Sequence, residues 1–260
     1  MNVRKSKIKK IDAAEFNALC EAESYRELGV AAEGGIGIYN EKRIHRILKH
    51  SLCDDEDCFE VPVGRYVTDV LSGGVACEIQ CGGFAPLLPK LTYYINETDL
   101  CVRIIVPVIA KKHLIRAERE TGEIIRVRSS PKKQGVYDAL ARLYPIRELL
   151  PNARISVTLA LIEAEEYRYS ERMRYRKKGA YDAELFPISL IETLTLESLE
   201  DYAALLPSEL CSDSFSAAEA AKVLPLKGRS LYSALNTLSA LGVLKRTKDG
   251  RAVRFSYERR

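Results

Sequence analysis

The sequence predicts a mixed α/β protein, in which a body built around a sheet is followed by a small basic C-terminal unit. Residues 60–80 contain two β-rich runs, residues 84–95 place apolar side chains at helical spacing, and residues 101–109 form a mostly apolar run. Near the end, residues 216–257 predict a helix, a turn, a second helix and a hairpin. A chain of 260 residues with 47% hydrophobic content can bury one large core or two modest ones.

Composition places the chain among proteins of the cytoplasm that do not contact a membrane. No apolar run approaches the length needed to span a bilayer, and the N-terminus does not have the pattern of a secretion signal. The seven cysteines are odd in number and scattered, which fits a reducing compartment. Neither their spacing nor that of the three histidines predicts a zinc site.

The first 35 residues predict a basic arm and a lead-in helix. Five Lys or Arg fall within residues 1–10, so this arm is a candidate for contact with phosphate, although a solvated tail gives the same pattern. Residues 41–50 then predict an amphipathic helix with Ile44, Ile47 and Leu48 facing inward.

A predicted hairpin carries the most informative residues of the chain. Its strands are joined at Ser72-Gly73-Gly74, with Asp69 on the first strand and with Glu78 and Gln80 on one face of the second. The hairpin would hold the two carboxylates close together, and such a pair needs a cation because like charges otherwise raise one pKa. Oxygen ligands suit Mg²⁺ or Mn²⁺. The alternative is an ordinary hairpin with two exposed acids.

The spacing Asp-x8-Glu-x-Gln resembles the active-site hairpin of the PD-(D/E)XK, or restriction-endonuclease-like, nucleases. This resemblance implies an αβββαβ core within residues 36–165, in which Asp69 and Glu78 bind the metal ion. Gln80 stands where the family usually has Lys, and would orient the attacking water. Thr68 replaces the usual Pro.

Glu41 extends the same resemblance to the first predicted helix. It lies three residues before Ile44 and therefore on the inward face. Several branches of the nuclease family place an acidic residue on this helix, so Glu41 would complete the metal shell. The alternative is that the helix macrodipole favours an acid in the first turn.

The rest of the body predicts further strands and a connector. Residues 113–128 predict a hairpin, residues 129–135 a basic loop, and residues 155–162 a buried strand after a short helix. Residues 166–204 are expected to be a connector. Within them, residues 168–178 interleave cations with tyrosines, a pattern that suits single-stranded nucleic acid as well as an exposed linker.

Charge is segregated along the chain. Residues 222–260 contain ten Lys or Arg against Asp249 and Glu258, a balance of +8, whereas residues 11–221 carry −9. A basic end on an acidic body indicates a polyanionic partner for that end.

Residues 205–260 resemble a winged helix-turn-helix domain. Ser216 and Glu219 form a capping box for the first helix, residues 229–241 form the second, and Gly242 ends it. The resemblance implies that the second helix enters the DNA major groove and that the following hairpin is the wing. The DNA-facing positions would then be Arg229, Ser230, Tyr232, Ser233, Asn236 and Thr237 on the helix, and Lys245, Arg246, Lys248, Arg251 and Arg254 on the wing.

These features together predict a cytoplasmic nuclease that hydrolyses phosphodiester bonds in DNA and depends on Mg²⁺ or Mn²⁺. One active centre per chain that cuts both strands would imply a homodimer. Two alternatives remain open: a non-catalytic DNA-binding regulator with an inactive nuclease-like domain, and an adaptor whose C-terminal unit binds another protein.

Overall fold

The computed structural model describes residues 7–26, 36–118, 121–170, 182–211, 213–249 and 252–258. Within them, the helices and strands have the following bounds: α1 Ala13–Arg26, α2 Ile36–Leu52, β1 Phe59–Val63, β2 Tyr66–Ser72, β3 Val75–Ile79, α3 Leu88–Glu97, β4 Cys101–Glu118, β5 Ile124–Ser129, α4 Val136–Arg142, β6 Ile155–Ser170, β7 Asp182–Leu196, α5 Leu199–Ala203, β8 Phe215–Ser216, α6 Ala217–Val223, α7 Gly228–Ala240, β9 Leu244–Asp249 and β10 Ala252–Tyr257.

The body is organised on a mixed seven-stranded sheet. Its order is β1-β2-β3-β4-β6-β7, and β5 pairs with β4. The first three strands are antiparallel, β4 runs parallel to both β3 and β6, and β7 returns antiparallel to β6. Because β6 occupies one edge of β4 along its length, β3 and β5 share the other edge, with β5 beyond β3.

In chain order, the elements of this region are α2, β1, β2, β3, α3 and β4. The expected first strand, which was to begin near residue 60, is two strands, because the chain reverses at Gly64-Arg65. Gly64 has φ +60°, and a Cβ at this position would collide with the ring of Tyr93. The close approach therefore ties the β1–β2 turn to α3.

Apolar residues are buried on both faces of the sheet. The cluster that includes Ile44, Ile47 and Leu48 of α2 confirms the inward face predicted for that helix. The cluster on the other face takes in α3 and α4 and includes Leu91 and Leu140. Helices thus cover both faces of the sheet, as burial of a mixed sheet requires.

The C-terminal unit contains the predicted helix, turn, helix and hairpin. The hydroxyl of Ser216 accepts a hydrogen bond from the Glu219 N–H at 3.2 Å, and the Glu219 carboxylate accepts one from the Ser216 N–H at 2.6 Å, so the predicted capping box is present. The hairpin β9–β10 adds β8 as a third strand. Helix α7 packs on α4, and its Leu235 and Leu238 belong to the same buried cluster as the body.

The connector expected at residues 166–204 is largely regular structure. It contains the end of β6, all of β7 and the short helix α5. Strand β6 runs on to Ser170, well past the predicted end at residue 162. Two irregularities in the β6–β7 register break the alternation on which strand prediction depends. Residues 171–181, which hold most of the predicted cation and tyrosine segment, lie outside the described residues.

Candidate functional site

Asp69 and Glu78 meet where β2 and β3 separate. The ladder between these strands ends with Val70 opposite Cys77, so Asp69 and Glu78 are the next residues in register. The Asp69 Oδ2 atom lies between the strands and accepts a hydrogen bond from the Ile79 N–H at 2.7 Å. A carboxylate from each strand is therefore present at this point, as the hairpin pattern predicted.

Asp69 is held as an anion. Its Oδ2 atom lies 3.1 Å from Nε2 of His45, which is contributed by α2. Burial by itself would raise the pKa of Asp69, but the hydrogen bond and the charge of His45, with the Ile79 N–H, bring the pKa below its usual value. Asp69 therefore presents a negative charge to its surroundings.

Glu78 has the opposite tendency. Its side chain is only 4% exposed; Oε2 is 2.5 Å from Nζ of Lys90, and Oε1 accepts a hydrogen bond from the Tyr94 hydroxyl at 3.3 Å. Burial and the charge of Asp69 raise the pKa of Glu78 to about 7, in spite of the opposing effect of Lys90. One carboxyl of the pair is thus held ionised and the other titrates near neutrality.

His45 and Lys90 belong to this site but are not predicted from the motif. A signal for Lys90 was present in the sequence, since Leu87, Lys90, Leu91 and Tyr94 follow the i, i+3, i+4, i+7 spacing of a single helix face. A lysine on an inward stripe needs an acidic partner, and Glu78 is that partner. His45 adjoins the inward residue Ile44, but its partner lies in another element of the fold.

Gln80 is directed to the turn that follows β3. Its side-chain amide donates a hydrogen bond to the Gly83 carbonyl at 2.7 Å, and its backbone N–H donates to the Ile105 carbonyl at 2.9 Å. Arg142 of α4 fixes the same turn by donating to the carbonyls of residues 80–82 and of Pro107, at 2.8–3.1 Å. The structure therefore places the Gln80 amide against the turn and not against the two carboxylates.

Glu41 lies in α2, four residues before His45, but its side chain falls outside the described part of the chain. Among the side chains that are described, no group of three or more His, Cys, Asp or Glu is arranged to hold a metal ion. Asp69 and Glu78 supply two oxygen ligands, which suits Mg²⁺ or Mn²⁺ better than a thiophilic metal.

The predicted DNA-facing positions of α7 divide into two groups. Arg229, Ser230 and Tyr232 are exposed, and Ser233 and Asn236 are half-buried. The prediction that Thr237 faces DNA is wrong, because Thr237 is fully buried and its hydroxyl donates to the Ser233 carbonyl at 2.9 Å. Helical spacing alone could not show this, since α7 is covered by α4, a helix from a distant part of the sequence.

The predicted wing cations also differ from one another. Lys245, Arg246 and Lys248 are exposed, whereas Arg251 lies outside the described residues. Arg254 is engaged within the C-terminal unit: its guanidinium donates to the hydroxyl of Ser214 at 2.9 Å and to the carbonyl of the same residue. Arg246 and Asn236 line a groove of about 400 Å³ against the body, with Tyr144, Arg147, Glu148, Ser239 and Ala240.

Fold and site define a mixed α/β protein with a coupled carboxylate pair in its sheet and a basic helical unit at its C-terminus. Residues 42–197, more than half of the chain, match the family described as a domain of unknown function (DUF8091), and the chain belongs to that family. The match begins in α2, ends just after β7, and includes Asp69, Glu78 and Lys90. Searches of curated proteins and of solved structures gave no match.

None of the helices within the described residues is long and apolar enough to cross a membrane.

Proposed function

We propose that this protein is a metal-dependent deoxyribonuclease whose active centre is formed by Asp69 and Glu78. The observation that carries the proposal is their juxtaposition at the point where β2 and β3 diverge, with the Lys90 ammonium 2.5 Å from Glu78. Two acids and a cation in one partly buried site are the groups that phosphoryl chemistry requires. The same arrangement is what the resemblance to PD-(D/E)XK nucleases implies for these two residues.

The carboxylate pair fits a divalent cation. Its repulsion helps to hold the pKa of Glu78 near 7, and a cation between the two carboxylates would relieve that repulsion. Mg²⁺ or Mn²⁺ would be held by Asp69 and Glu78, and Glu41 is the candidate to complete the set. When bound, the ion supplies a Lewis acid for the phosphate and lowers the pKa of a water molecule.

The surrounding residues position the acids and supply charge. His45 and the Ile79 N–H both contact Oδ2 of Asp69, so they fix the orientation of the carboxylate. Lys90 provides the positive charge that the sequence lacks at Gln80, and would stabilise the negative charge that develops on the phosphate. A role for Gln80 in orienting water stays a prediction, since its amide would have to leave Gly83.

The C-terminal unit would bind the DNA substrate. Its net charge favours a polyanion, and three exposed residues of α7 and three of the hairpin are available for contact. Phosphate contacts from the hairpin would give salt-dependent affinity, and the exposed start of α7 would contact bases or backbone. These residues are Arg229, Ser230, Tyr232, Lys245, Arg246 and Lys248.

The test is a cleavage assay with Mg²⁺ or Mn²⁺ on single-stranded, duplex and branched DNA and on RNA. We expect metal-dependent cutting of DNA that is lost in both Asp69→Asn and Glu78→Gln. Matched controls are Asp99→Asn and Glu97→Gln, which change exposed acids near the end of α3. Cutting that survives in the first two variants would reject the assignment of the active centre.

One observation favours a non-catalytic regulator as the second candidate. Lys90 already balances Glu78, and Gln80 is engaged by the turn, so the carboxylate pair has a structural explanation without a metal ion. A regulator would cut none of the substrates yet would bind duplex DNA, and Asp69→Asn would bind as well as the parent protein. Replacing Lys245, Arg246 and Lys248 by Gln would then abolish the binding.

Two further expectations are tested by the same preparations. An adaptor would show no affinity for nucleic acid and would bind a protein partner with little dependence on salt.

A nuclease that cuts both strands of a duplex with one centre per chain would be a homodimer, which sedimentation analysis would detect. A monomer that cuts both strands would contradict the dimer but not the nuclease.

A further inference from the structure

A groove lined by arginines lies at the end of the sheet where β5 and the C-terminal parts of β4 and β6 pair. It encloses about 200 Å³ between β4, β5 and β6, and four of its six lining residues are arginines. None of the four belongs to the carboxylate site or to the C-terminal unit. The lining residues are Leu114, Ile115, Arg116, Arg126, Arg128 and Arg168.

Strand register places these arginines side by side. Arg116 is directly opposite Arg126 on β5 and directly opposite Arg168 on β6, so three guanidinium groups from three adjacent strands share a face. Arg128 is two residues from Arg126 and therefore points to that same face. With strands about 4.8 Å apart, the row extends over roughly 10 Å.

Like charges directly opposite each other destabilise a sheet. Part of this repulsion is relieved by Glu166, which accepts a hydrogen bond from Nε of Arg168 at 2.5 Å and also pairs with Lys112. Arg116, Arg126 and Arg128 are exposed, and they take part in no ion pair between described residues. Three exposed arginines thus keep their donors directed to solvent.

The rest of β5 is unusual for an edge strand. All six of its residues are exposed, including Ile124, Ile125 and Val127, each more than half exposed. The connection from β6 to β7 begins at this end of the sheet, and its sequence contributes five more Lys or Arg within residues 171–181. The sequence that follows β6 is therefore also rich in cations.

We propose that this groove binds the phosphate backbone of a nucleic acid. Planar guanidinium groups present paired donors that match phosphate oxygens, and a row of them matches the repeated charges of a backbone. A backbone phosphate would also relieve the repulsion between Arg116 and Arg126.

The groove is separate from the carboxylate pair. Ile104 of β4 is the register partner of Glu78, and Arg116 lies twelve residues further along β4. At about 3.3 Å per residue, this separation is roughly 40 Å along the strand. Whether a nucleic acid bound here is cut rests on the proposed nuclease function. Its binding does not, and the binding can be measured without cleavage.

The test compares two double variants that each remove two exposed positive charges. Arg126→Gln/Arg128→Gln changes the groove, and Arg65→Gln/Lys111→Gln changes two exposed cations outside the groove and the C-terminal unit. Both are made in the Asp69→Asn background, and binding to a labelled DNA strand and a labelled duplex is followed by anisotropy in EDTA at several salt concentrations. Thermal unfolding confirms that each variant is folded.

We expect the groove variant to bind at least one DNA form roughly ten- to thirtyfold more weakly, with a salt slope smaller by about 2. The control variant should change affinity by less than about threefold. Equal losses in the two variants, or unchanged binding in the groove variant, would overturn the proposal. If the parent protein does not cut DNA, the nuclease proposal is rejected. If the groove variant still loses binding in that case, the proposal for the groove stands.

Discussion

At the scale of single residues, Asp69 and Glu78 have the same chemistry but different environments. Asp69 accepts hydrogen bonds from an N–H group and from His45, which stabilise its charge. Glu78 is more deeply buried, and it faces both the charge of Asp69 and the ammonium of Lys90. The pKa values of the two acids therefore move apart, as in sites where two carboxylates take different roles.

The raised pKa of Glu78 predicts how stability depends on pH. Because its pKa is about 7 in the folded protein against 4.5 in the unfolded chain, the folded state binds more protons in between. The contribution of Glu78 is complete below about pH 4.5 and is lost as pH rises to about 7, with a size of roughly 3 kcal/mol. Asp69 stays ionised throughout this range.

The measurement is urea unfolding at pH 5 and at pH 8, compared with the variant Glu78→Gln. We expect the free energy of unfolding to fall more between these pH values in the parent protein than in the variant. Glu97→Gln, which changes an exposed acid, should keep the parent's pH dependence. Identical pH dependence in Glu78→Gln and the parent would show that Glu78 titrates normally.

The position of Lys90 beside Glu78 gives a second prediction, for the rate of DNA cleavage. Lys90→Met removes the cation beside Glu78, so we expect the rate of DNA cleavage to fall by roughly 10²–10³-fold. The pKa of Glu78 should rise further, because Lys90 is one of the groups that lower it. The activity profile would therefore move to higher pH.

The control for this prediction is Lys90→Arg, which keeps the positive charge on α3. It should retain more activity than Lys90→Met, with a pH profile closer to that of the parent. A cleavage rate in Lys90→Met equal to the parent's would remove Lys90 from the active centre.

At the scale of elements, the site depends on how β3 ends. Residues 80–83 turn away from the sheet directly after Ile79, whose N–H binds Asp69. Arg142 reaches this turn from α4 and donates to three of its carbonyl groups. Helix α3, which starts soon after the turn, carries Lys90, and its position is fixed by Tyr93 against Gly64. The carboxylate pair is thus held by a turn and two helices.

Arg142→Met tests this dependence. The substitution keeps most of the apolar stem but leaves four carbonyl groups without their charged donor, so we expect a loss of about 2–4 kcal/mol in the free energy of unfolding. Arg147→Met is the matched control, because Arg147 donates to one carbonyl group instead of four and pairs with an exposed Glu148, so its loss should cost about 1 kcal/mol. Chemical denaturation measures both, and equal losses would contradict a special role for the turn.

At the scale of the whole molecule, the body and the C-terminal unit share one buried apolar cluster. Leu235 and Leu238 of α7 belong to the cluster that contains Leu140 of α4. We therefore expect the two units to unfold together, because neither would keep its apolar surface covered alone. The basic unit is therefore attached to the body by packing as well as by the chain.

Leu235→Ala is expected to lower the stability of the entire chain. Leu235 is fully buried, so its truncation should cost about 2–5 kcal/mol and shift one common thermal transition. Tyr232→Ala on the exposed side of the same helix should cost less than about 1 kcal/mol. Two transitions, of which only one shifts in Leu235→Ala, would show that the units unfold separately.

Much of the fold follows from local patterns. The inward stripe of α2, the capping box of α6 and the position of α7 depend on residues close in sequence. The first two predictions are confirmed, and α7 begins and ends one residue earlier than predicted. The hairpin of Asp69 and Glu78 belongs to the same group, because its strands are joined by a two-glycine turn. Strand β7 is different, since its register irregularities hide the alternation.

The sequence by itself determined the mixed α/β class, the hairpin with its two acids and the helical basic end, because spacing and capping act over a few residues. Only the tertiary structure decided which side chains surround those acids. His45 and Lys90 come from two separate helices, and Arg142 holds the turn after β3 from a third. Thr237 is buried on α7, which packs on a helix about a hundred residues earlier. The row of arginines likewise exists only in the strand register, because contacts between distant segments depend on how the elements pack.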